Sequence, residues 1–311
     1  MQNELSVGFM GSGRFAARCL ELLSGGLRPS WVVTNAPKPS GRGLKLQNTP
    51  VWDTALALGL PTFTTERLSR DDERIEWIKA ARPDVILVID FGHLVKEPLL
   101  SLPRYGCINI HPSKLPQYRG SAPIQRALMD GVTESAVSIF RLDAGMDSGP
   151  ILAQPPLVIE ASDDVNSLFE KAAASGTEAL LSLLCGTPPE SWRFTEQDET
   201  KATCAPKIDK NEGRIDWNAT AFEIVNKIRG IGTAPGVFCM ARGKRLRVHK
   251  AEAVPAAALA CGALRITENG PVVGCKEGAL LLKEVQPEGK KPQPASDWAR
   301  GARLAEGEVI E

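Results

Sequence analysis

The chain is poor in the residues that would simplify its reading. Only 5% of its 311 residues are aromatic, two of them Tyr, and only three His occur, at 93, 111 and 249. No apolar run approaches the ~18 residues of a membrane span, and no membrane partner is expected. The start, MQNELSVGFMG, has no basic head leading into a long apolar stretch, so no signal peptide is expected. Seven Cys occur, an odd number, with no Cys-x-x-Cys pair. A disulfide framework and a zinc site are therefore both disfavoured, and the cytoplasm is the expected compartment. Net charge is also missing, at +0 overall, but the halves differ. Residues 201–311 hold 18 Lys/Arg against 13 Asp/Glu, and residues 1–200 are acidic by the same margin. A basic tail on an acidic body fits a polyanion partner.

What is present is alternation. Leu5–Met10, Ser30–Asn35, Asp84–Ile89, Gly106–Ile110 and Ala136–Leu142 read as strands. Phe15–Leu23, Thr49–Leu58, Asp72–Ala81, Ala122–Met129 and Val165–Leu184 read as helices. The run DVILVI has no polar break, as expected of a strand covered on both faces. This order predicts an α/β fold with a doubly wound, mostly parallel sheet. Gly186–Pro206 is polar and Pro-bearing and reads as a linker. Beyond it, after one helix at Thr220–Arg229, come five short strand runs: Val237–Ala241, Arg245–His249, Gly262–Thr267, Val272–Cys275 and Ala279–Val285. They predict a small OB-like β-barrel.

The stretch FMGSGRFAA places Gly-x-Gly-x-x-Ala between a strand and a helix, as a dinucleotide site would. Such a site wants a carboxylate at the end of the second strand, where this chain has Thr34-Asn35-Ala36-Pro37. Lys38 and Arg42 could serve a 2′-phosphate instead, but the glycines are better read as a tight structural turn.

The chemistry concentrates in CINIHPSKLPQYRGSAPIQRAL, Cys107–Leu128. Asn109 and His111 alternate on a strand and share a face at its C-terminal end. The stretch LDAGMDSGPI follows another strand and offers Asp143 and Asp147, which could equally be turn residues. An Asn and a His can hold a developing oxyanion, and an Asp beside the His can orient and charge it. With no obvious protein nucleophile, that set suits acyl transfer in which the substrate's own amine attacks.

At Asn109-Ile110-His111-Pro112-Ser113, Leu115-Pro116, Tyr118-Arg119-Gly120, Ala122-Pro123-Ile124 and Asp143-x-Gly145-x-Asp147-x-Gly149, the chain resembles the folate-dependent formyltransferases. NAPKPSGRGLKL, APKIDKNEGRIDW and EVQPEGKKPQPASDWARG extend the likeness over nearly its whole length, and favour the branch that acts on initiator methionyl-tRNA. The resemblance implies a Rossmann-like catalytic domain at 1–189, a linker at 190–206 and an OB-like, tRNA-binding barrel at 207–311. It implies 10-formyltetrahydrofolate as co-substrate, no metal, and no DNA partner. It makes Asn109, His111 and Asp147 the catalytic trio. It assigns Ser113, Lys114, Leu115 and Pro116 to the folate-contacting turn, and Lys38, Arg42 and Lys45 to a loop that meets tRNA. The basic residues Lys207, Lys210, Arg245 and Arg247 of the tail are expected to add tRNA contacts. Two alternatives share features of this reading: a formyltransferase for amino sugar nucleotides, and a non-catalytic RNA-binding protein. The chain departs from the family's habit at Lys114, where an apolar residue is usual, at Gly11-Ser12-Gly13, and at Arg229–Gly236, which lacks an aromatic.

Overall fold

Two unbroken apolar strands, β1 (Val7–Gly11) and β6 (Val85–Ile89), are buried at every position and pair in parallel, Val7 with Val85 through Gly11 with Ile89. They form the middle of a seven-stranded sheet. The computed structural model describes residues 5–40, 45–255 and 259–311, which form two compact units. Arg42 lies outside the described residues.

The first unit takes the described residues up to Gly120, then Glu134–Val158 and Phe169–Cys204. Its parallel strands are β5 (Thr62–Thr65), β2 (Trp31–Asn35), β1, β6 and β7 (Cys107–His111), in that spatial order. The antiparallel strands β9 (Ser138–Arg141) and β10 (Ile151–Ala153) extend the sheet beyond β7. Strand order reverses between β1 and β6. Open α/β sheets carry their sites at such a switch point, beyond the strands' carboxyl ends. Helix α1 (Arg14–Leu23) buries Phe15, Ala16, Ala17, Cys19, Leu20 and Leu23, and its full burial of Leu20 and Leu23 stabilises by ~1.5–3 kcal/mol each relative to exposure. Helix α2 (Pro50–Ala57) starts where Thr49 accepts from the Trp52 amide, with Pro50 in its first turn; α3 (Asp72–Ala81) starts where Asp71 accepts from Arg74.

Two small pieces escape the alternating pattern. The basic segment after β2, read as an open loop, contains a paired hairpin of β3 (Lys38–Ser40) and β4 (Lys45–Gln47). Between β7 and β9, helix α4 (Pro123–Met129) precedes a short strand, β8 (Glu134–Ala136), which pairs with β11 (Pro156–Val158).

The second unit consists of Ser121–Thr133, Ile159–Leu168 and the described residues of Ala205–Glu311. Two segments that the sequence reading placed in the catalytic domain therefore pack with the tail. Helix α5 (Val165–Gly186) begins in this unit and continues in the first. Helix α6 (Ala221–Ile231) starts at a Thr220/Glu223 capping box. It crosses α4 so closely that a Cβ on Gly230 would stand 2.7 Å from the Gln125 carbonyl oxygen and 2.8 Å from Met129 Cγ. Arg229 donates to the carbonyls of Glu160, Ala161 and Asp163, and Arg126 holds Glu212 at 2.5 and 3.0 Å, so charged side chains tie the interleaved segments.

The tail sheet runs β12 (Val237–Ala241), β13 (Lys244–Val254), β16 (Ala279–Pro287), β15 (Gly270–Gly274) and β14 (Leu264–Thr267), all antiparallel, with β17 (Gln293–Pro294) on β16 and α7 (Ala295–Ala302) after it. Residues 308–311 join its two edges. Leu264 N donates to Glu308 O and Ile310 N to Gly262 O on one side; Met240 and Glu311 exchange both bonds on the other. This closure fits the barrel expected of the tail.

Adding one methyl group at Gly230 should separate α4 from α6. Gly230→Ala is expected to cost ~1–3 kcal/mol of stability, read as a lower Tm in calorimetry. An unchanged Tm would show that the crossing is not tightly packed.

Candidate active site

β7 ends in Asn109-Ile110-His111 and pairs with β9, Asn109 opposite Phe140 and His111 opposite Ser138. His111 is buried, 6% exposed, with Phe140 edge-on to its ring. Its Nε2 lies 2.9 Å from the Tyr118 carbonyl. A carbonyl only accepts, so Nε2 carries the hydrogen and Nδ1 is the acceptor nitrogen of the neutral ring. Nδ1 stands 3.8 Å from Asp147 Oδ2. Asn109 is half-buried, and its carboxamide has no hydrogen-bond partner among the described residues. The two side chains named from strand alternation are thus differently engaged: His111 is held at both nitrogens' sides, and Asn109 is free to meet a ligand.

The two Asp of the following loop divide their work clearly. Asp143 accepts from Gly145 N at 2.9 Å and from Ser148 Oγ at 2.8 and 3.0 Å, so it folds the loop. Asp147 has φ +53 and turns its carboxylate toward His111; Oδ2 also accepts from Gly120 N at 2.8 Å. The structure brings His111 and Asp147 together and leaves Asp143 to the turn.

In the turn after β7, Ser113 and Leu115 are buried and Lys114 is exposed. Ser113 Oγ donates to Gln117 O, and Ser138 Oγ donates to Ser113 O at 2.6 Å while accepting from Leu115 N at 3.0 Å and Gln154 Nε2 at 2.9 Å. The Leu115–Pro116 peptide is cis. Of these four residues, Ser113 and Leu115 spend their side chains on the turn itself. Lys114 points away from the packed face, which explains how a charge is tolerated at a usually apolar position.

The glycine loop does not offer itself to a pyrophosphate. Ser12 N and Gly13 N both donate to Asp90 O at 3.1 Å, and Ser12 Oγ accepts from Asn35 N. Asp90, directly after β6, belongs to no motif, although a lone carboxylate closing an apolar strand is a signal. It adopts φ +43. Its carboxylate lies over Gly13, where a Cβ would fall 1.6 Å from Oδ2. Gly13 cannot cap α1 with a side chain; Asp90 accepts from Phe15 N in its place. Burial by the crowded first turn pushes the carboxyl from 3.8 up to about 6, and the Phe15 hydrogen bond only partly offsets this.

The stretch read as a linker is packed along its length. Trp192 is buried, Thr195 bridges Ile151, Gln197 donates to the carbonyls of Asp147 and Gly149, and Thr203 accepts from the Tyr118 and Arg119 amides. Nothing in its polar, aperiodic sequence marks Gln197. The basic residues are spread over both units. Lys38 and Lys45 are exposed on the β3–β4 hairpin, and Lys207 and Lys210 are exposed before α6. Arg245 and Arg247 share the outer face of β13, Arg245 stacked 3.7 Å over Phe238. All seven Cys are free thiols, and burial pushes those of Cys19, Cys107 and Cys239 up to about 12. No helix among the described residues is long and apolar enough to cross a membrane.

Comparison with known proteins extends this geometry. A formyl transferase profile matches residues 9–184, and one for the formyl transferase C-terminal domain matches residues 207–303. The chain is 38% identical to a methionyl-tRNA formyltransferase of Caldicellulosiruptor saccharolyticus, over 98% of this chain and 100% of the relative. It is 37% identical to that of Thermus thermophilus, over 97% and 98%. In fold it resembles an N-formyltransferase of Helicobacter canadensis solved with folinic acid and dTDP-3-aminofucose, with TM-score 0.67, 17% identity and coverage of 91% and 99%. It also resembles Aquifex aeolicus HypX solved with tetrahydrofolic acid, with TM-score 0.64, 15% identity and coverage of 96% and 47%.

Because the Asp90 carboxyl is raised in the folded state, folding takes up a proton between pH 3.8 and about 6, and its contribution to stability falls as pH rises through that window. Asp90→Asn keeps an acceptor for Phe15 and tolerates the left-handed backbone. It should match the parent near pH 4 and exceed its Tm at pH 7. Equal Tm values at both pH values would refute the burial argument.

Proposed function

This chain belongs to the formyl transferase family, and from that premise we propose that it transfers the formyl group of 10-formyltetrahydrofolate to the α-amine of methionyl-tRNA, in the cytoplasm, at the start of protein synthesis. The observation that carries the mechanism is one unengaged amide, Asn109, beside a buried His111 whose free nitrogen faces Asp147. The donor's reactive end lies at this crest, against the turn of Ser113, Lys114, Leu115 and Pro116. The neutral amine attacks the formyl carbon, and a C–N bond forms as the carbonyl π pair moves to oxygen. The Asn109 carboxamide donates to that oxyanion. His111 Nδ1 takes the amine's proton through water, and the imidazolium it becomes is held by Asp147 on one side and the Tyr118 carbonyl on the other. Collapse of the tetrahedral intermediate breaks the bond from carbon to the folate N10, which leaves as tetrahydrofolate with a proton returned from the site. The scheme needs no metal.

The deciding assay offers 10-formyltetrahydrofolate with charged initiator tRNA or with amino sugar nucleotides and finds by mass which acceptor gains the formyl group. A formylated sugar nucleotide and unmodified methionyl-tRNA would overturn the reading; no transfer to either would favour a non-catalytic RNA-binding protein. Asn109→Ala is expected to lower the single-turnover rate by ~10²–10³, and Asp147→Asn to cost far more than Asp143→Asn. A parental rate in Asn109→Ala would remove it from the oxyanion site.

Binding of tRNA rests on Lys38, Arg42 and Lys45 and on Lys207, Lys210, Arg245 and Arg247. Stacking on Phe238 pre-orders the Arg245 guanidinium for a phosphate or a base edge. Arg245→Gln and Arg247→Gln should each lessen the slope of log affinity against log salt by ~0.7–0.9, measured by filter binding across a salt series. A slope identical to the parent's would place tRNA elsewhere.

A further inference from the structure

Asp147 can serve His111 only while an uncommon backbone conformation persists. At φ +53 a residue with a Cβ is held in the left-handed region, and relaxation to an ordinary conformation would swing the carboxylate away from the ring. Its Oδ2 bond to Gly120 N fixes one end of the side chain. The backbone is fixed from outside the loop, by Gln197.

The Gln197 carboxamide spends both hydrogens on this loop. Nε2 donates to Asp147 O at 2.9 Å and to Gly149 O at 2.7 Å, so it spans the residue that must stay left-handed. Its Oε1 faces the opposite way and accepts from Arg119 Nε at 3.1 Å and Nη2 at 2.7 Å. A flipped amide would set its oxygen against two carbonyls and its NH2 against a guanidinium, so four contacts dictate one orientation. Arg119 is itself gripped by Glu199, Nη1 at 2.9 Å and Nη2 at 2.6 Å. Its side chain is 11% exposed. Arg119 also sits between Tyr118, whose carbonyl holds His111, and Gly120, whose amide holds Asp147.

We infer that Gln197 is a positioning residue for the Asp147 carboxylate and that Arg119 sets the direction in which Gln197 points. The segment 195–203 is then a working part of the catalytic site. The inference rests on the formyl-transfer reading above and adds to it which residues outside the trio hold the trio's geometry.

The test uses the full chain with 10-formyltetrahydrofolate and methionyl-tRNA as probes. Gln197→Met keeps the side chain's length and removes all four hydrogen bonds. It is expected to lower kcat by ~10–100-fold, with KM for both substrates within about threefold of the parent and Tm little changed. Gln197→Glu keeps the shape and the Arg119 partner but replaces the donors to Asp147 and Gly149 by an oxygen that their carbonyls repel. It is expected to lower kcat as far as Gln197→Met, and it carries the test if the Met variant does not fold. A kcat within about threefold of the parent in either folded variant overturns the inference. So does a loss confined to KM, or a fall in Tm with kcat per folded molecule retained. A parent that does not formylate methionyl-tRNA counts against the formyl-transfer reading itself and is told apart in the same assay, because the positioning argument fails only when an active parent is matched by its variants.

Discussion

The hydroxyl of Ser138 is the fastening on which the site's geometry depends. This fully buried oxygen donates to the Ser113 carbonyl and accepts from Leu115 N and from Gln154. One atom thereby joins β9, the turn after β7 and the segment after β10. Without it the Leu115 amide would keep only the Ser113 carbonyl, at 3.1 Å, and the turn would lose its tie to β9. The turn then delivers Tyr118–Gly120 at a fixed place, and those residues hold His111 by a carbonyl and Asp147 by an amide. The trio is thus carried by strand pairing at one end and by backbone groups of a single short loop at the other, with few mobile side chains in between.

The crest of the sheet shows a related economy at α1. A helix start usually takes its capping oxygen from its own preceding residue. Here that residue is Gly13, and the cap comes from Asp90 on a neighbouring strand. The absence of a Cβ at Gly13 makes room for the carboxylate, and the carboxylate replaces the cap that glycine cannot supply. The pair explains why a glycine-rich turn stands here without a dinucleotide: its amides at Ser12 and Gly13 are already bonded to the Asp90 carbonyl.

The parts of this fold legible in the sequence are those that repeat. The apolar run Val85–Ile89, the helical face of Arg14–Leu23 and the five tail strands each carry a period, and each stands in the structure within a few residues of its expected place, although β13 runs on to Val254 through a bulge near Lys250. Asn109 and His111 were legible because a strand's alternation places them on one face. The choice of Asp147 over Asp143 came from family likeness, since two Asp among glycines look alike until their partners are seen. Gln197 and Ser138 had no local signal, because each acts through contacts with residues distant in the chain. Helix α7 buries only Ala295, Trp298 and Ala299, too few for its period to stand out. The hairpin β3–β4 has no apolar alternation, because its β4 side chains are all exposed.

The path of the chain through its two units also sets a timetable. Helix α4, at Pro123–Met129, buries Ile124, Ala127 and Leu128, and its partner is α6, at Ala221–Ile231. On a ribosome, α4 emerges while that partner is still unmade, so its apolar side faces solvent or a chaperone until the tail follows. The loop of Tyr118–Gly120 immediately precedes this waiting segment. The core of the second unit is therefore a late event in the life of each new molecule, reached only when the last third of the chain has been synthesised.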